Sequence, residues 1–363
     1  MTKSGLLKLT SKLVGIRSEY PNEQEIGMFL LLYLKKAGFE VLTQNISRRR
    51  FNILATKGQG KKAVMFYGHL DTVPLSKKSE WETNPFKLTK KDGKLYGLGA
   101  SDMKGGIAAF LEATKNTNTY VKIFLAVDEE NISEGAWKAV QKKSDFFKDV
   151  VLVISAEPNL GNGLNSLATG RTGRSLYEIN FVGKPEHIIR YRNAVDAIEK
   201  LVNFGSVLYS KREKMFKSHT SVAQLRKVEG ESVGMSVCGE AKAEVEVLLG
   251  HEDSVKNVLA VLKSLTKEEV KVKPRETPYL EGYRFDKFPY QEEIAGVIRK
   301  YTGRKIKLYT RKSVGDDNVL ATLKIPIITW GADGGNEHKP NEYIESDSLV
   351  VLTKMYQEFL HSI

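Results

Sequence analysis

Acidic and histidine side chains follow several apolar runs of this 363-residue chain. His69 and Asp71 lie in the segment GHLDTVP, directly after one such run. In an extended chain, residues i and i+2 point to the same side, so these two side chains share a face. A carboxylate beside a metal-binding histidine can fix the tautomer and orientation of the ring. The alternative is a surface turn with an isolated histidine. Further metal-ligating residues elsewhere in the chain are needed to distinguish a metal site from such a turn.

A second candidate is Asp102, in the glycine-rich segment GLGASDMKGG that precedes a predicted helix. Glycines let the backbone bend and approach a ligand closely. The segment lacks both the dinucleotide-binding glycine pattern and a Gly-Lys-Ser/Thr phosphate loop. An acid at its centre would repel phosphate and attract a cation. Asp102 is also a good helix N-cap, and one carboxylate can serve both purposes.

Three further segments place acids or a histidine after apolar runs. They contain Glu129 and Glu130 in VDEENISEGA, Glu157 in AEPN and His338 in HKPNEYI. A solvated loop tolerates adjacent acids at low cost, whereas a metal makes them favourable. Neighbouring side chains diverge, so Glu129 and Glu130 can take different roles, one as general base and one as metal ligand.

Together these segments supply two imidazoles and three carboxylates, from His69, Asp102, Glu130, Glu157 and His338. The carboxyl ends of parallel strands meet at one edge of a sheet, where α/β proteins build their sites. The set suffices for two zinc ions if one carboxylate bridges them. Each metal would then have one histidine, one terminal carboxylate, the shared bridge and an open position for water.

Strands and helices that would position these residues alternate along the chain. Strands are predicted at 63–67, 121–127 and 150–155, and helices at 105–114 and 133–141. This alternation predicts a largely parallel sheet covered on both faces. Near the N-terminus, Asn22 is predicted to cap a helix that ends before Gly38, with Glu25 completing a capping box.

The pattern changes after Gly173 and returns after Pro278. We therefore predict an α/β catalytic domain formed by residues 1–172 and 279–363. An α+β (ferredoxin-like) domain, residues 173–278, is inserted into it as a lid and dimerisation domain.

Composition narrows the possible classes of function. The single cysteine, Cys238, excludes an internal disulfide and a cysteine-based zinc cluster, and it fits a reducing cytoplasm. The N-terminal segment carries lysines where a signal peptide needs an apolar stretch. The longest apolar run, Met28–Leu34, is far shorter than the roughly 20 residues that a membrane span requires. We expect a cytoplasmic protein without a membrane partner.

The formal net charge is +12. A nucleic-acid-binding protein is one explanation, with basic, aromatic-containing stretches at Arg48–Phe51 and Lys211–Lys217. These stretches fall in different predicted domains and match no nucleic-acid-binding motif, so solvated surfaces explain them better. A third class is a metal-binding protein without catalytic activity. The chain has all five candidate metal ligands and the candidate base, which argues against this class.

The motifs resemble the co-catalytic zinc hydrolases typified by acetylornithine deacetylase, succinyl-diaminopimelate desuccinylase, aminoacylase and the glutamate carboxypeptidases. GHLDTVP, LYGLGASDMKGG, VDEENISEGA, AEPN and HKPNEYI occur in the family order, and WETNPF matches a further segment. The resemblance implies hydrolysis of an amide bond in an N-acyl amino acid or small peptide. It also implies two Zn²⁺ ions, which Co²⁺ or Mn²⁺ can replace, and a homodimer.

The resemblance also implies a role for each candidate residue. His69 and Glu157 would bind one zinc, Glu130 and His338 the other, and Asp102 would bridge both. The resemblance gives two further acids, Asp71 and Glu129, a role in the same site. Asp71 would support His69, and Glu129 would be the general base. His187, in the inserted domain, would stabilise the oxyanion, often in the partner subunit's site.

This chain departs from the family where the substrate carboxylate is held. Between Val228 and Lys256 it lacks the expected asparagine and arginine, and Leu98 stands where many relatives have arginine. The candidate replacements are Arg171, Arg174, Arg190 and Arg192, for each of which a solvated surface position is the alternative. The segment 311–320 is most similar to hydrolases that release lysine or ornithine from an acidic amino-group carrier protein. A basic enzyme would suit that partner.

Overall fold

Regular structure covers most of the computed structural model, which describes residues 2–212 and 214–363. The helices in these ranges are α1 (Lys3–Gly15), α2 (Gln24–Lys36), α3 (Gly105–Thr114), α4 (Glu134–Lys142), α5 (Ser144–Phe147), α6 (Ala197–Lys211), α7 (Val255–Ser264), α8 (Gln291–Thr302), α9 (Asp316–Ala321) and α10 (Ser346–Ser362). The strands are β1 (Glu40–Ser47), β2 (Arg50–Lys57), β3 (Ala63–His69), β4 (Thr89–Lys91), β5 (Lys94–Tyr96), β6 (Val121–Ala126), β7 (Val150–Ser155), β8 (Ser166–Arg171), β9 (Gly173–Val182), β10 (Val222–Gly230), β11 (Glu240–Leu249), β12 (Glu269–Val272), β13 (Tyr283–Arg284), β14 (Lys307–Arg311), β15 (Ile327–Thr329), β16 (Gly334–Gly335) and β17 (Tyr343–Glu345). None of the helices within the described ranges is both long and apolar enough to cross a membrane.

The described chain divides into two compact units. The first contains the residues up to Thr169 together with Phe285–Tyr309 and Gly315–Ile363. The second contains Gly170–Arg284 and the short segment Thr310–Val314. The second unit therefore interrupts the first in the sequence, and the first resumes after it.

The first unit is built on a sheet with the strand order β1-β2-β6-β3-β7-β15-β8. Its central strands β6, β3, β7 and β15 run parallel, whereas the flanking pairs are antiparallel. Strand β3 is buried along its whole length, as a central parallel strand covered on both faces must be. The predicted α/β fold with a mostly parallel sheet is confirmed.

Aromatic packing fixes β3 against the helices that cover it. The ring of Phe66 on β3 lies 5.5 Å from that of Phe110 on α3 and 5.1 Å from that of Tyr356 on α10. All three side chains are fully buried. Burying one such ring contributes about 1.5–3 kcal/mol, so this cluster holds firmly the strand that ends at His69.

The second unit contains an antiparallel four-stranded sheet with the order β10-β11-β9-β12. Helix α6 connects β9 to β10 and α7 connects β11 to β12, which gives the ferredoxin-like order of elements. Burial alternates along β11, because one face of the sheet packs on the core and the other faces solvent. The predicted α+β insertion is confirmed.

The predicted start of α2 is wrong. The N-cap is Glu23 and makes no side-chain capping bond, while Asn22 donates from Nδ2 to the carbonyl of Glu19 at 3.1 Å. Glu25 therefore completes no capping box. Glu23 is unavailable as a cap because its carboxylate is buried against Arg50, at 2.7 Å.

Candidate metal centre

The predicted metal ligands all lie in the first unit, at the carboxyl ends of the parallel strands or in loops beside them. His69 is the last residue of β3, Glu130 follows β6 and Glu157 follows β7. Asp102 lies in the irregular helical turn Ala100–Lys104, directly before α3. His338 follows β15 through the short strand β16.

The first group of ligands is His69, Asp102 and Glu157. His69 Nε2 lies 3.0 Å from Asp102 Oδ1 and 3.8 Å from Glu157 Oε1. The side chains of His69 and Glu157 are buried. Their ligand atoms all lie within 4.8 Å of one another, which is close enough to surround one cation.

The second group is Asp102, Glu130 and His338. His338 Nε2 lies 3.4 Å from Asp102 Oδ2 and 3.2 Å from Glu130 Oε2. The His338 side chain is 54% exposed, so this group opens to solvent. Asp102 therefore turns one oxygen towards each group and belongs to both.

The donor set and its unsatisfied atoms fit two divalent cations. Glu130 Oε1 is buried and has no hydrogen-bond partner among the described residues. Three carboxylates and two imidazoles are the oxygen and nitrogen ligands that zinc and similar metals use. A cation in each group would also offset the mutual repulsion of the buried acids.

The orientation of His69 is fixed by the backbone of Asp71. His69 Nδ1 lies 2.9 Å from the Asp71 carbonyl oxygen, so Nδ1 carries the proton and Nε2 is left to face Asp102. The Asp71 carboxylate lies 3.7 Å from Nδ1. That carboxylate accepts the backbone N–H groups of Glu129 at 3.2 Å and Glu130 at 2.9 Å. Asp71 thus links the histidine to the loop after β6.

The electrostatics of the centre favour positive charge. Contacts with Asp102 and Glu130 raise the pKa of His338 to about 11, against the opposing effect of burial. Burial disfavours the charged form of Asp102, but hydrogen bonds with His338 and His69 outweigh it and lower its pKa. Burial lowers the pKa of His69, yet its contact with Asp102 and the charge of Glu129 raise it well above the ordinary value.

Glu129 lies beside both ligand groups, with an oxygen within 4.8 Å of donor atoms of His69 and Glu130. Burial, followed by the negative charge of Glu157, raises the Glu129 pKa well above its ordinary value. A carboxyl group whose pKa is raised holds a proton more readily, which suits a group that takes and then returns one.

Glu342 was not predicted to have a role, although it lies in the HKPNEYI motif. Its carboxylate accepts three backbone N–H groups, from Gly99 at 2.8 Å, Ser101 at 2.8 Å and Asp102 at 2.9 Å. Burial raises its pKa to about 8. Glu342 thereby holds the turn that carries the shared ligand Asp102.

Asp316 is a second acid that sequence reasoning missed. It is fully buried, and Tyr67 donates its hydroxyl to Asp316 Oδ2 at 2.8 Å. Burial raises the Asp316 pKa to about 7, against the hydrogen bonds of Ser133 and Tyr67. Tyr67 stands two residues before His69 on β3, so this pair lies directly behind the metal ligands.

His187 lies in the second unit, at the start of the turn Ile188–Asn193. Its Nδ1 accepts the N–H of Ile189 at 3.3 Å. The arginines suggested for a substrate carboxylate are in the same unit. Arg171 is buried, Arg174 pairs with Glu246 at 2.6 Å, Arg190 contacts Glu186 at 3.4 Å and Arg192 lies over the Tyr191 ring. The surface alternative is therefore wrong for Arg171.

A known protein family matches most of this chain. The sequence profile of peptidase family M20/M25/M40 matches residues 65–362. A succinyl-diaminopimelate desuccinylase of Buchnera aphidicola is 27% identical over 384 residues, covering 99% of this chain and 99% of that protein.

Solved structures share the fold over nearly the whole chain. An aminopeptidase PepT from Bacillus cereus superposes with a TM-score of 0.82 at 20% identity, covering 99% of this chain and 98% of that one. A dinuclear metal-binding peptidase of the M20 family from Bacillus subtilis has a TM-score of 0.74 at 16% identity, with 99% and 97% covered.

Proposed function

Since this chain belongs to peptidase family M20/M25/M40, we propose that it uses two zinc ions to hydrolyse the amide bond of an N-acylated amino acid or small peptide. The chain is a metallohydrolase acting on amide or peptide bonds, and the resemblance seen in its motifs is confirmed. The observation that carries the proposal is the pair of three-ligand groups that share Asp102.

In this proposal His69 and Glu157 would hold one metal, Glu130 and His338 would hold the other, and Asp102 would contribute to both. Mixed histidine and carboxylate ligands with an open coordination position are typical of catalytic zinc. Co²⁺ and Mn²⁺ accept the same ligands and are the expected substitutes. The Bacillus subtilis neighbour, itself a dinuclear metal-binding peptidase, supports a count of two.

The reaction follows from the positions of the acids. Metals held by these residues would supply Lewis-acid chemistry, which activates water and polarises the scissile carbonyl. Glu129 takes the proton from the attacking water and passes it to the leaving amine, for which its raised pKa is suited. Asp71 anchors the backbone of Glu129 and Glu130, which keeps the base at a fixed distance from the ligand beside it.

We assign oxyanion stabilisation to His187, on the resemblance described above. The imidazole would donate a hydrogen bond to the oxygen of the tetrahedral intermediate, an interaction that commonly contributes several kcal/mol. His187 lies in the inserted unit, so it would act in its own subunit's site or in a partner's.

A homodimer formed through the inserted unit is supported by exposed apolar side chains there. Ile189 is 82% exposed and Val233 is 84% exposed, with Met235 at 65%. We expect light scattering to give twice the mass of one chain. Ile189→Asp should yield monomers, whereas Leu32→Asp, at a 60% exposed position of the first unit, should leave the dimer intact.

The substrate would carry a free carboxylate bound by arginine. Arg190 is 66% exposed, and its contact with Glu186 is long, so it is better placed to bind an anion than Arg174, which is paired. We expect Arg190→Ala to raise KM for an N-acyl amino acid more than for the corresponding amide. An equal change for both would contradict this role.

A panel of N-succinyl and N-acetyl amino acids and of dipeptides, assayed with added Zn²⁺ or Co²⁺, tests the function. Release of free amino acid from at least one class is expected. Chelation should abolish it and metal should restore it. No metal-dependent hydrolysis of any member would overturn the proposal.

The second candidate is a hydrolase that frees lysine or ornithine from an acidic carrier protein. The net charge of +12 and the similarity of segment 311–320 favour it. Turnover of a carrier-linked substrate should then fall steeply as salt rises, because attraction between opposite charges is screened. Salt-independent turnover would argue for a small free substrate. The free, buried Cys238 suits the reducing cytoplasm where we place either enzyme.

A further inference from the structure

Arg50 lies behind the loop that carries the base, although the sequence places it in an exposed basic run. Its side chain is 7% exposed, whereas Arg48 and Arg49 face solvent. The guanidinium makes three contacts of 2.7, 2.9 and 3.1 Å with the Glu23 carboxylate. Its Nη2 also lies 2.9 Å from Asp128 Oδ1.

Asp128 lies at the beginning of the loop that follows β6. It adopts a left-handed backbone conformation with φ of 77°, which is uncommon for a residue with a side chain. Its Oδ2 accepts the N–H of Glu134 at 2.9 Å, at the start of α4. The loop between Asp128 and Glu134, which contains Glu129 and Glu130, is thus tied to Arg50 through one carboxylate.

Asn52 supports the same loop two residues further along β2. Its Oδ1 accepts the N–H of Val127 at 3.1 Å, and its Nδ2 donates to the carbonyl of Gly135 at 2.8 Å. Arg50 and Asn52 therefore hold the segment at both ends. Of these two residues only Arg50 is charged, so only Arg50 can neutralise the carboxylates of Glu23 and Asp128.

We propose that Arg50 is a positioning residue for Glu129 and Glu130, acting through Asp128. This inference rests on the proposed function. Without the guanidinium, the buried carboxylates of Glu23 and Asp128 would lose a shared counter-ion, and their repulsion would displace the loop. In the proposed assignment Glu130 is a ligand of the metal that His338 holds, so the displacement would weaken that metal site more than the site of His69, Asp102 and Glu157.

A purely structural role for Arg50 makes a different prediction, and Lys122 provides the matched control. Lys122 is a buried cation at the other end of β6, where it pairs with Asp149 and donates to the carbonyl of Phe146 at 2.7 Å. Lys122→Met removes the ion pair of another buried cation, far along the strand from the loop. It should lower the melting temperature without selective loss of one metal.

The test compares the metal-loaded wild type with Arg50→Met, Arg50→Lys and Lys122→Met. Each protein is dialysed against graded concentrations of a chelator, and bound Zn²⁺ is counted. In Arg50→Met we expect one of the two metals to be held about 10–100-fold more weakly, with the other within about threefold. The kcat should fall by a similar factor while KM stays within about threefold, and Arg50→Lys should retain part of both.

Several results would overturn the inference. These are retention of both metals with wild-type kcat in Arg50→Met, or equal weakening of both metals. If Arg50→Met does not fold, Asp128→Asn removes the charge at nearly constant size and should show the same selective loss; an unaffected Asp128→Asn contradicts the role. A wild type that binds no metal contradicts the proposed function, whereas normal wild type with unaffected variants contradicts only the role of Arg50.

Discussion

The carboxylate of Glu342 accepts the backbone N–H of Asp102 at 2.9 Å, so the ligand shared by both groups is held through its main chain. The same carboxylate accepts two further N–H groups of that turn. A hydrogen bond of this kind contributes about 0.5–1.5 kcal/mol, so the three bonds together fix the turn.

Glu342→Gln tests this anchor. Glutamine keeps one oxygen acceptor and turns an N–H₂ group towards a backbone donor. We expect a lower melting temperature and weaker binding of both metals, because Asp102 belongs to both groups. Exposed Glu345→Gln is the control. Unchanged metal affinity and melting temperature in Glu342→Gln would show that the turn holds without its carboxylate.

Glu129→Gln should remove turnover while both metals stay bound. The substitution keeps the size of the side chain but removes its ability to accept a proton, a role that contributes about 10²–10⁴-fold to rate. The kcat and the metal content of the same preparation give the result. Activity close to wild type would exclude Glu129 as the base.

His69→Ala and His338→Ala should each lower the metal content from two ions to one per chain. In the proposed assignment each histidine is a ligand of a different metal, since His69 lies 3.0 Å from Asp102 Oδ1 and His338 lies 3.4 Å from Asp102 Oδ2. Metal analysis after dialysis gives the count. Exposed His219→Ala should keep both ions. A full complement in either site variant would contradict the assignment of its ligands.

Asp316→Asn should change the pH dependence of stability. The folded-state pKa of Asp316 is about 7, above its ordinary value of 3.8, so the folded state binds more protons than the unfolded state between those values. Wild-type stability should therefore fall as pH rises through this window, by up to about 4 kcal/mol, and the variant should lack that fall. Urea unfolding of both proteins between pH 4 and 8 would show it. If the free energies of unfolding of wild type and variant differed by the same amount at every pH, the raised pKa of Asp316 would be contradicted. As a control, Asp145→Asn, at an exposed position, should behave as wild type.

Mixing two inactive variants locates the action of His187. Consider a dimer of one Glu129→Gln chain and one His187→Ala chain. The site of the His187→Ala chain has an intact base and can receive His187 from the Glu129→Gln chain. If the histidine acts across the dimer, random mixing should recover about a quarter of wild-type activity. If it acts within its own subunit, mixing restores nothing.

Much of the centre could be predicted because its ligands follow strands with a simple pattern. Apolar runs such as Val121–Ala126 are buried on both faces, and the acids after them must therefore emerge at one edge of the sheet. Asp102, His69 and Glu157 meet there as expected. Residue type and strand order were sufficient to predict that these side chains lie close together.

Other features depend on packing that the local sequence does not encode. Strand β8 was missed because SLATGR is polar, although every residue of it is buried. Helix α9 was missed because two aspartates open it, and burial of such acids is rare without partners. The local sequence places Arg50 in a surface charge run, because its partner Glu23 lies 27 residues away.

The order of the ligands along the chain has a consequence for synthesis. His69, Asp102 and Glu157 all precede the inserted unit in the sequence, whereas His338 follows it. On the ribosome, one complete ligand group therefore emerges long before the second receives its histidine. In the nascent chain Glu130 lacks its histidine partner until the inserted unit and the segment that carries His338 have been translated.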